Sequence, residues 1–276
     1  AMLTGSLANI VLDYLFLYPL DMGIFGAALA TGTAPVIGLC LTSLHSLTRR
    51  NQYRLARPAY PARSLSDMAG LGSAAFLNEF TSCMVLALYN LLMLRAAGTV
   101  GVAAYGVVAN LALMALALFT GLSQGAQPLI SQAYGRGDTP AVRQLCRLAL
   151  LVSCLVGLSL ALTAQLAAQP LVALFNRDGD PALAKIAVEG LRIYFLGFLC
   201  AGPNIITAAF LGASEQPRAS FLLSLFRGGV GIAALVLLLA WLLGITGIWL
   251  AFPVTELLTL FLGLGVSRKV LRAPLP

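Results

Sequence analysis

One histidine, His45, and five cysteines without a CxxC pair or a Cys/His spacing leave little in these 276 residues from which to build a metal centre. Cys40, Cys83, Cys146, Cys154 and Cys200 lie scattered through or beside apolar stretches, where a free thiol packs as a small hydrophobe. Charge is also scarce: 10% of residues are charged and 59% are hydrophobic. A water-soluble domain needs more polar surface than that. No Gly-rich phosphate loop ending in Lys is present, which excludes ATP as the source of work. No His/Asp/Glu cluster suits a metalloenzyme or an intramembrane protease, so the chain reads as a protein that is not an enzyme and has no organic cofactor. The net charge of +7 does not indicate nucleic acid as a partner. The Arg and Lys residues sit between apolar blocks, and no basic helix is interleaved with aromatics.

What the chain does have is hydrophobic sequence in blocks of roughly 18 to 27 residues, long enough to cross a hydrocarbon core about 30 Å thick. The blocks are apolar nearly all round, unlike the one-sided stripe of a soluble helix. The pattern predicts an all-α polytopic membrane protein with helices over 2–19, 24–47, 68–95, 101–130, 141–168, 183–212, 217–243 and 247–267. Boundaries of this kind are good to about four residues. Asp21-Met22-Gly23, Gly98, Gly135-Arg136-Gly137-Asp138, Asn176 to Pro181 and Gly244 to Gly247 supply the turns. Thr139-Pro140 reads as an N-cap and first-turn proline.

Positive charge sets the orientation. On alternate connections one side holds Arg49, Arg50, Arg54, Arg57, Arg63, Arg136, Arg143, Arg147, Arg218, Arg227, Arg268, Lys269 and Arg272. The other holds Arg95, Arg177, Lys185 and Arg192. Thirteen against four places the first set and the C-terminus in the cytoplasm, and the protein in the plasma or inner membrane with lipid around it. Residues 48–67, Arg-rich and containing Pro58 and Pro61, read as a cytoplasmic linker. They separate 1–47 from a six-helix lobe over 68–267, with 268–276 as a tail.

An internal repeat supports that division. Gly23 to Ala30 and Gly244 to Ala251 both read G-I-x-G-x-x-L-A, at an offset of 221 residues, and both join one apolar block to the next. Two parallel six-helix halves account for the offset. The first half is then represented by its last two helices, with roughly 150 residues expected before Ala1, since four further spans are needed. The first block has no basic n-region and contains Asn9 and Asp13, so it does not read as a cleaved signal peptide.

Charges within apolar blocks are costly and therefore candidates for function. Glu79, in Asn78-Glu79-Phe80-Thr81-Ser82, is a candidate cation or proton site, since a desolvated carboxylate holds a proton nearer neutral pH. Its alternative is a structural hydrogen bond to a neighbouring helix. Asn78, Ser82 and Asn90 extend the polar face of that helix. Glu256, after Phe252-Pro253, reads either as a second cation site or as an interhelical tether. Asn110, Gln127 beside Pro128, and Asn204 beside Pro203 are candidates for a substrate cavity lined by interrupted helices. Asn9 and Asp13, four apart on one face, read as structural polar residues. Trp241 and Trp249 flank an external turn and read as interfacial anchors, as does His45.

Several stretches resemble the multidrug and toxic compound extrusion (MATE) family. They are Asn9-Ile10-Val11-Leu12-Asp13, Gly26 to Thr31, Gly125-Ala126-Gln127-Pro128-Leu129-Ile130-Ser131 with Tyr134-Gly135 and Gly137-Asp138, and Gly247 to Pro253. The Gln-Pro-Leu-Ile-Ser run is the most specific of them. The resemblance implies a twelve-helix transporter of two six-helix lobes that exports amphipathic, often cationic drugs and toxins in exchange for Na+ or H+. It also implies a cation role for Glu79, which falls where such families carry an acidic residue on the seventh helix. Two other readings stay open: a flippase for a lipid-linked oligosaccharide, and a membrane protein that transports nothing.

Overall fold

The computed structural model describes residues 2–47, 61–176, 179–214 and 216–272, with side chains placed at 4–44, 76–77, 79–176, 179–214 and 216–265. All regular structure among them is helical: α1 (Met2–Leu17), α2 (Gly23–Leu47), α3 (Pro61–Gly135), α4 (Thr139–Leu166), α5 (Ala168–Ala173), α6 (Pro181–Phe195), α7 (Phe198–Ala213), α8 (Pro217–Leu225), a π-helical turn (Phe226–Val230), α9 (Gly231–Leu243) and α10 (Ile245–Arg272). Among the described residues, five stretches are long and apolar enough to cross a membrane, and the pair α6–α7, bent by 46°, makes a sixth. One of the five runs through a break at Ala97–Gly98, where Gly98 has φ +64°, and so holds two of the predicted helices. Thr4–Leu17 is apolar but shorter. Each predicted helix thus falls on a helical segment.

The chain forms two compact units, Ala1–Leu65 and Ser66–Pro276. In the first, α1 and α2 pack as a hairpin whose turn carries Asp21 at φ +46° and Gly23 at φ +54°. In the second, α7 packs on α4 and α10, and α10 also packs on α6 and α9. The core joins Tyr89, Val108 and Phe119 of α3 to Leu191, Phe198, Val236 and Trp249. The faces turned away from it carry Leu113, Leu166 and Trp241 at 64%, 84% and 81% exposure. Such a surface suits lipid rather than water.

The internal repeat is one structural device used twice. Gly23 and Gly244 take the left-handed conformation, at φ +54° and +60°, which a side chain disfavours. Three residues on, Gly26 and Gly247 press against the end of the preceding helix. A Cβ on Gly26 would lie 2.9 Å from Phe16 Cβ, and one on Gly247 would collide with the Leu239 carbonyl. Ala30 and Ala251, which close the motif, are both fully buried.

Small residues set the helix spacing, as in membrane bundles generally. A Cβ on Gly157 would strike the Phe198 carbonyl, and one on Gly202 the Phe119 ring. Gly190 lies under Trp249, whose Cε2 and Cζ2 would stand 2.5 Å from such a carbon. Gly190→Ala therefore overpacks α6 against α10, at a cost of about 1–3 kcal/mol. A fall in the detergent melting temperature reports it, and an unchanged melt would mean that the indole moves freely.

Four expectations need correcting. Helix α3 begins at Pro61 rather than at residue 68, because proline suits a first helical turn; residues 48–60 of the expected linker lie outside those described. The cap of α4 is Asp138, whose carboxylate accepts from the Ala141 N–H at 3.1 Å, so Thr139 is already helical. The sixth predicted helix breaks at Leu196–Gly197, not at Pro203. Proline cannot bond the carbonyl one turn back, so the disturbance falls upstream of its ring. There Gly197 donates to Tyr194 O at 3.0 Å and Cys200 to Gly197 O at 3.0 Å, tightening the chain locally. Lastly, Trp249 is a core residue at 2% exposure, tilted against Tyr105 with centroids 6.1 Å apart, while Trp241 is exposed.

Candidate functional site

The second unit has a charged cluster in its interior. Glu256 lies on α10 one residue beyond the buried Thr255, and is itself 1% exposed. Its Oε1 forms an ion pair with Arg227 Nε at 2.7 Å. Its Oε2 accepts from Asn204 Nδ2 at 2.7 Å, and the same amide nitrogen donates to the backbone oxygen of Glu256 at 2.7 Å. Asn204 is fully buried on α7, and its Oδ1 has no hydrogen-bond partner among the described residues. Thr255 and Thr259 are buried beside Glu256, but their hydroxyls donate back to Ala251 O and Thr255 O at 2.6 and 2.7 Å. The surroundings are aromatic: Tyr194 stacks on Phe252 at 4.2 Å, and Phe198 meets Phe252 edge-on at 5.4 Å.

Arg227 reaches this cluster because of local backbone geometry. It stands in the π-helical turn between α8 and α9, followed by Gly228 and Gly229. A π turn adds a residue to the helical repeat and re-aims the side chains around it by about 100°. The two glycines let that turn approach α3. A Cβ on Gly229 would lie 2.5 Å from Thr81 Cγ2, and one on Gly228 3.7 Å from Ser82 Oγ. The turn bearing Arg227 is therefore seated against the α3 segment immediately after Glu79.

Of the residues singled out from the sequence, the structure joins Asn204 and Glu256 directly. Glu79 is exposed, and no ion pair to it is found among the described residues. Ser82 is exposed on the same helix; the side chain of Asn78 lies outside the described residues, as does that of His45. Asn90 is half-buried and donates to Leu86 O at 2.9 Å, while the exposed Asn110 donates to Gly106 O at 2.8 Å. Both amides are thus held by their own helix. Gln127 is exposed, close to Gly212. In the first unit Asn9 and Asp13 are half-buried, and Asn9 lines an open cleft with Ser6, Thr31, Pro35 and Thr42.

Sequence reading missed Arg227, which it counted among the cytoplasmic positive charges, and the structure instead turns it into the bundle toward Glu256. A signal was available: an arginine ten residues into an apolar span and followed by two glycines needs a buried carboxylate, and Glu256 is the one at hand.

An all-α bundle of membrane-length apolar helices with glycine-tight contacts, a broken helix and an ion pair in its interior defines a polytopic membrane protein. The MatE family profile matches residues 74–237, more than half of the chain, and the chain belongs to that family. Among curated relatives, an FAD transporter of Shewanella oneidensis is 27% identical over 271 residues, covering 93% of this chain and 58% of the relative. The multidrug export protein MepA of Staphylococcus haemolyticus is 26% identical, covering 96% and 58%. The chain thus spans less than two thirds of the length of these relatives. Among solved structures, a MOP superfamily transporter from Pyrococcus furiosus, whose binding pocket has reverse polarity, superposes with TM-score 0.86 at 19% identity, over 97% of this chain and 61% of that one. A mutant of the Vibrio cholerae MATE transporter VcmN superposes with TM-score 0.84 at 22% identity, over 98% and 61%. Those two likenesses establish the fold.

Proposed function

We propose that the chain takes part in cation-coupled efflux of amphipathic, often cationic compounds, with Na+ or H+ moving the other way. It does so in the plasma or inner membrane, its C-terminus in the cytoplasm. The observation that carries this reading is the different standing of two carboxylates in apolar helices. Glu256 is buried and neutralised by Arg227, whereas Glu79 is exposed on α3. An accessible carboxylate in an apolar span can exchange an ion or meet a cationic drug; a paired and buried one holds helices together. Ion and drug need not bind at one point, because each can favour a different conformation of the same bundle. MepA, named a multidrug export protein, supports this substrate class, and the FAD transporter widens it toward larger and anionic solutes.

Proteoliposomes containing the purified chain test the reading. Loaded with a fluorescent lipophilic cation, they should release it when an inward Na+ or H+ gradient is imposed and retain it when none is. Release that ignores both gradients, or no release at all, would exclude antiport by this chain.

A further inference from the structure

The sequence offered Glu256 as a second cation site or an interhelical tether, and the structure sets the Arg227 guanidinium against its carboxylate. Its carboxylate is nearly inaccessible, one oxygen is at 2.7 Å from the Arg227 guanidinium, and the other is engaged by Asn204. The guanidinium meets one carboxylate oxygen, and the other carboxylate oxygen and the backbone oxygen of Glu256 both accept from the buried Asn204 amide, so oxygen donors of the kind a small hard cation takes are gathered at this one residue. Among the described residues Asn204 Oδ1 is buried without a hydrogen-bond partner, and Arg227 Nε and Glu256 Oε1, though 2.7 Å apart as an ion pair, are likewise not aligned as a hydrogen bond. The guanidinium is brought there by a device that a plain helix lacks, the π-helical turn with Gly228 and Gly229 seated on Thr81 and Ser82.

We propose that Arg227 is a resident, tethered cation that fills the position a sodium ion would take beside Glu256 and Asn204, and so sets the ion selectivity of this half of the transporter. The inference deepens the antiport reading and rests on it for its meaning in transport. Its physical content is a competition at one carboxylate between a covalently held cation and a dissolved one. The held cation wins through its effective concentration, since it needs no entropy of capture. It also covers the carboxylate with a planar group too large to share the position with a hydrated metal ion. A sodium ion would have to displace the guanidinium, leaving an arginine in an apolar interior without its partner, which is strongly unfavourable. The cluster is therefore closed to Na+ for as long as Arg227 is present.

A simple structural tether makes no such prediction, so the two roles separate in an equilibrium experiment. The chain is purified in detergent, and its melting temperature is followed while NaCl replaces choline chloride at constant ionic strength. The wild type and Glu256→Gln should respond alike. Arg227→Met should gain a Na+-dependent rise of about 3 °C, and Arg227→Met with Glu256→Gln should lose that gain. An Arg227→Met protein that folds without any sodium response overturns the proposal. So does a wild type whose sodium response disappears in Glu256→Gln, an outcome that needs no arginine variant to fold. Arg227→Lys adds a check, because a retained ammonium should keep the cluster indifferent to Na+. Transport does not enter these measurements. A chain that moves no drug can still pass them, and an active antiporter can still fail.

Discussion

Arg227→Met lowers the melting temperature of the purified chain by about 10 °C, and adding Glu256→Leu recovers most of the loss. The reason lies in how buried pairs divide their energy. Bringing both charges out of water costs nearly as much as their attraction returns, so replacing the pair as a unit is often close to neutral. Removing one partner is different, because it leaves the other charge stranded in the apolar interior, a loss of about 3–5 kcal/mol. A kilocalorie shifts the melting point of a chain this size by about 2–4 °C. Arg227 is only 21% exposed and Glu256 1%, so solvent does little to rescue a stranded carboxylate. Asn204 remains hydrogen-bonded to it, which softens the effect without supplying a charge. Thermal unfolding in detergent of both singles and the double decides the matter. Losses that simply add would show the two residues to be uncoupled, and the interior pair would then have no energetic standing.

The second large effect concerns transport. Glu79→Gln should reduce gradient-driven release of a lipophilic cation from proteoliposomes by at least about tenfold, since a rate ratio of that size needs only about 1.4 kcal/mol. Glu79→Asp, which keeps the charge on a shorter stem, should retain part of it. Glutamine preserves the size and hydrogen-bonding capacity of the side chain while removing its ability to carry a proton or meet a metal ion. The substitution is structurally mild because Glu79 is exposed and packs into no core. Glu189→Gln, also at an exposed carboxylate, on α6, is the matched control and should leave the flux intact. If Glu79→Gln kept both the rate and the ion dependence of the parent, coupling through that residue would be ruled out.

Much of the architecture is legible in the one-dimensional pattern. Apolar blocks of membrane length become helices because lipid offers the backbone no alternative partner. Turns fall at Gly23, Gly98, Gly137, Gly179 and Gly244, all with positive φ, where glycine is tolerated best. The membership of Asn204 and Glu256 in one cluster was half legible: each was suspect as a polar residue in an apolar span. Nothing in the spacing of residues 204 and 256 says that their side chains meet.

Sequence by itself determined that this chain is a multi-pass helical membrane protein, where its turns lie, and that a glycine motif is used twice. Those properties depend on neighbours along the chain and on the solvent, both of which a linear pattern records. Tertiary structure alone decided that α6 and α7 bend at Gly197 under Phe252, and that Trp249 lies in the core over Gly190. It also decided that Arg227 turns inward to Glu256 while Glu79 remains outside. Each of these is a meeting of residues far apart in the chain, set by which helix lies against which. A single extra residue in a π-helical turn was enough to aim the half-buried Arg227 at Glu256.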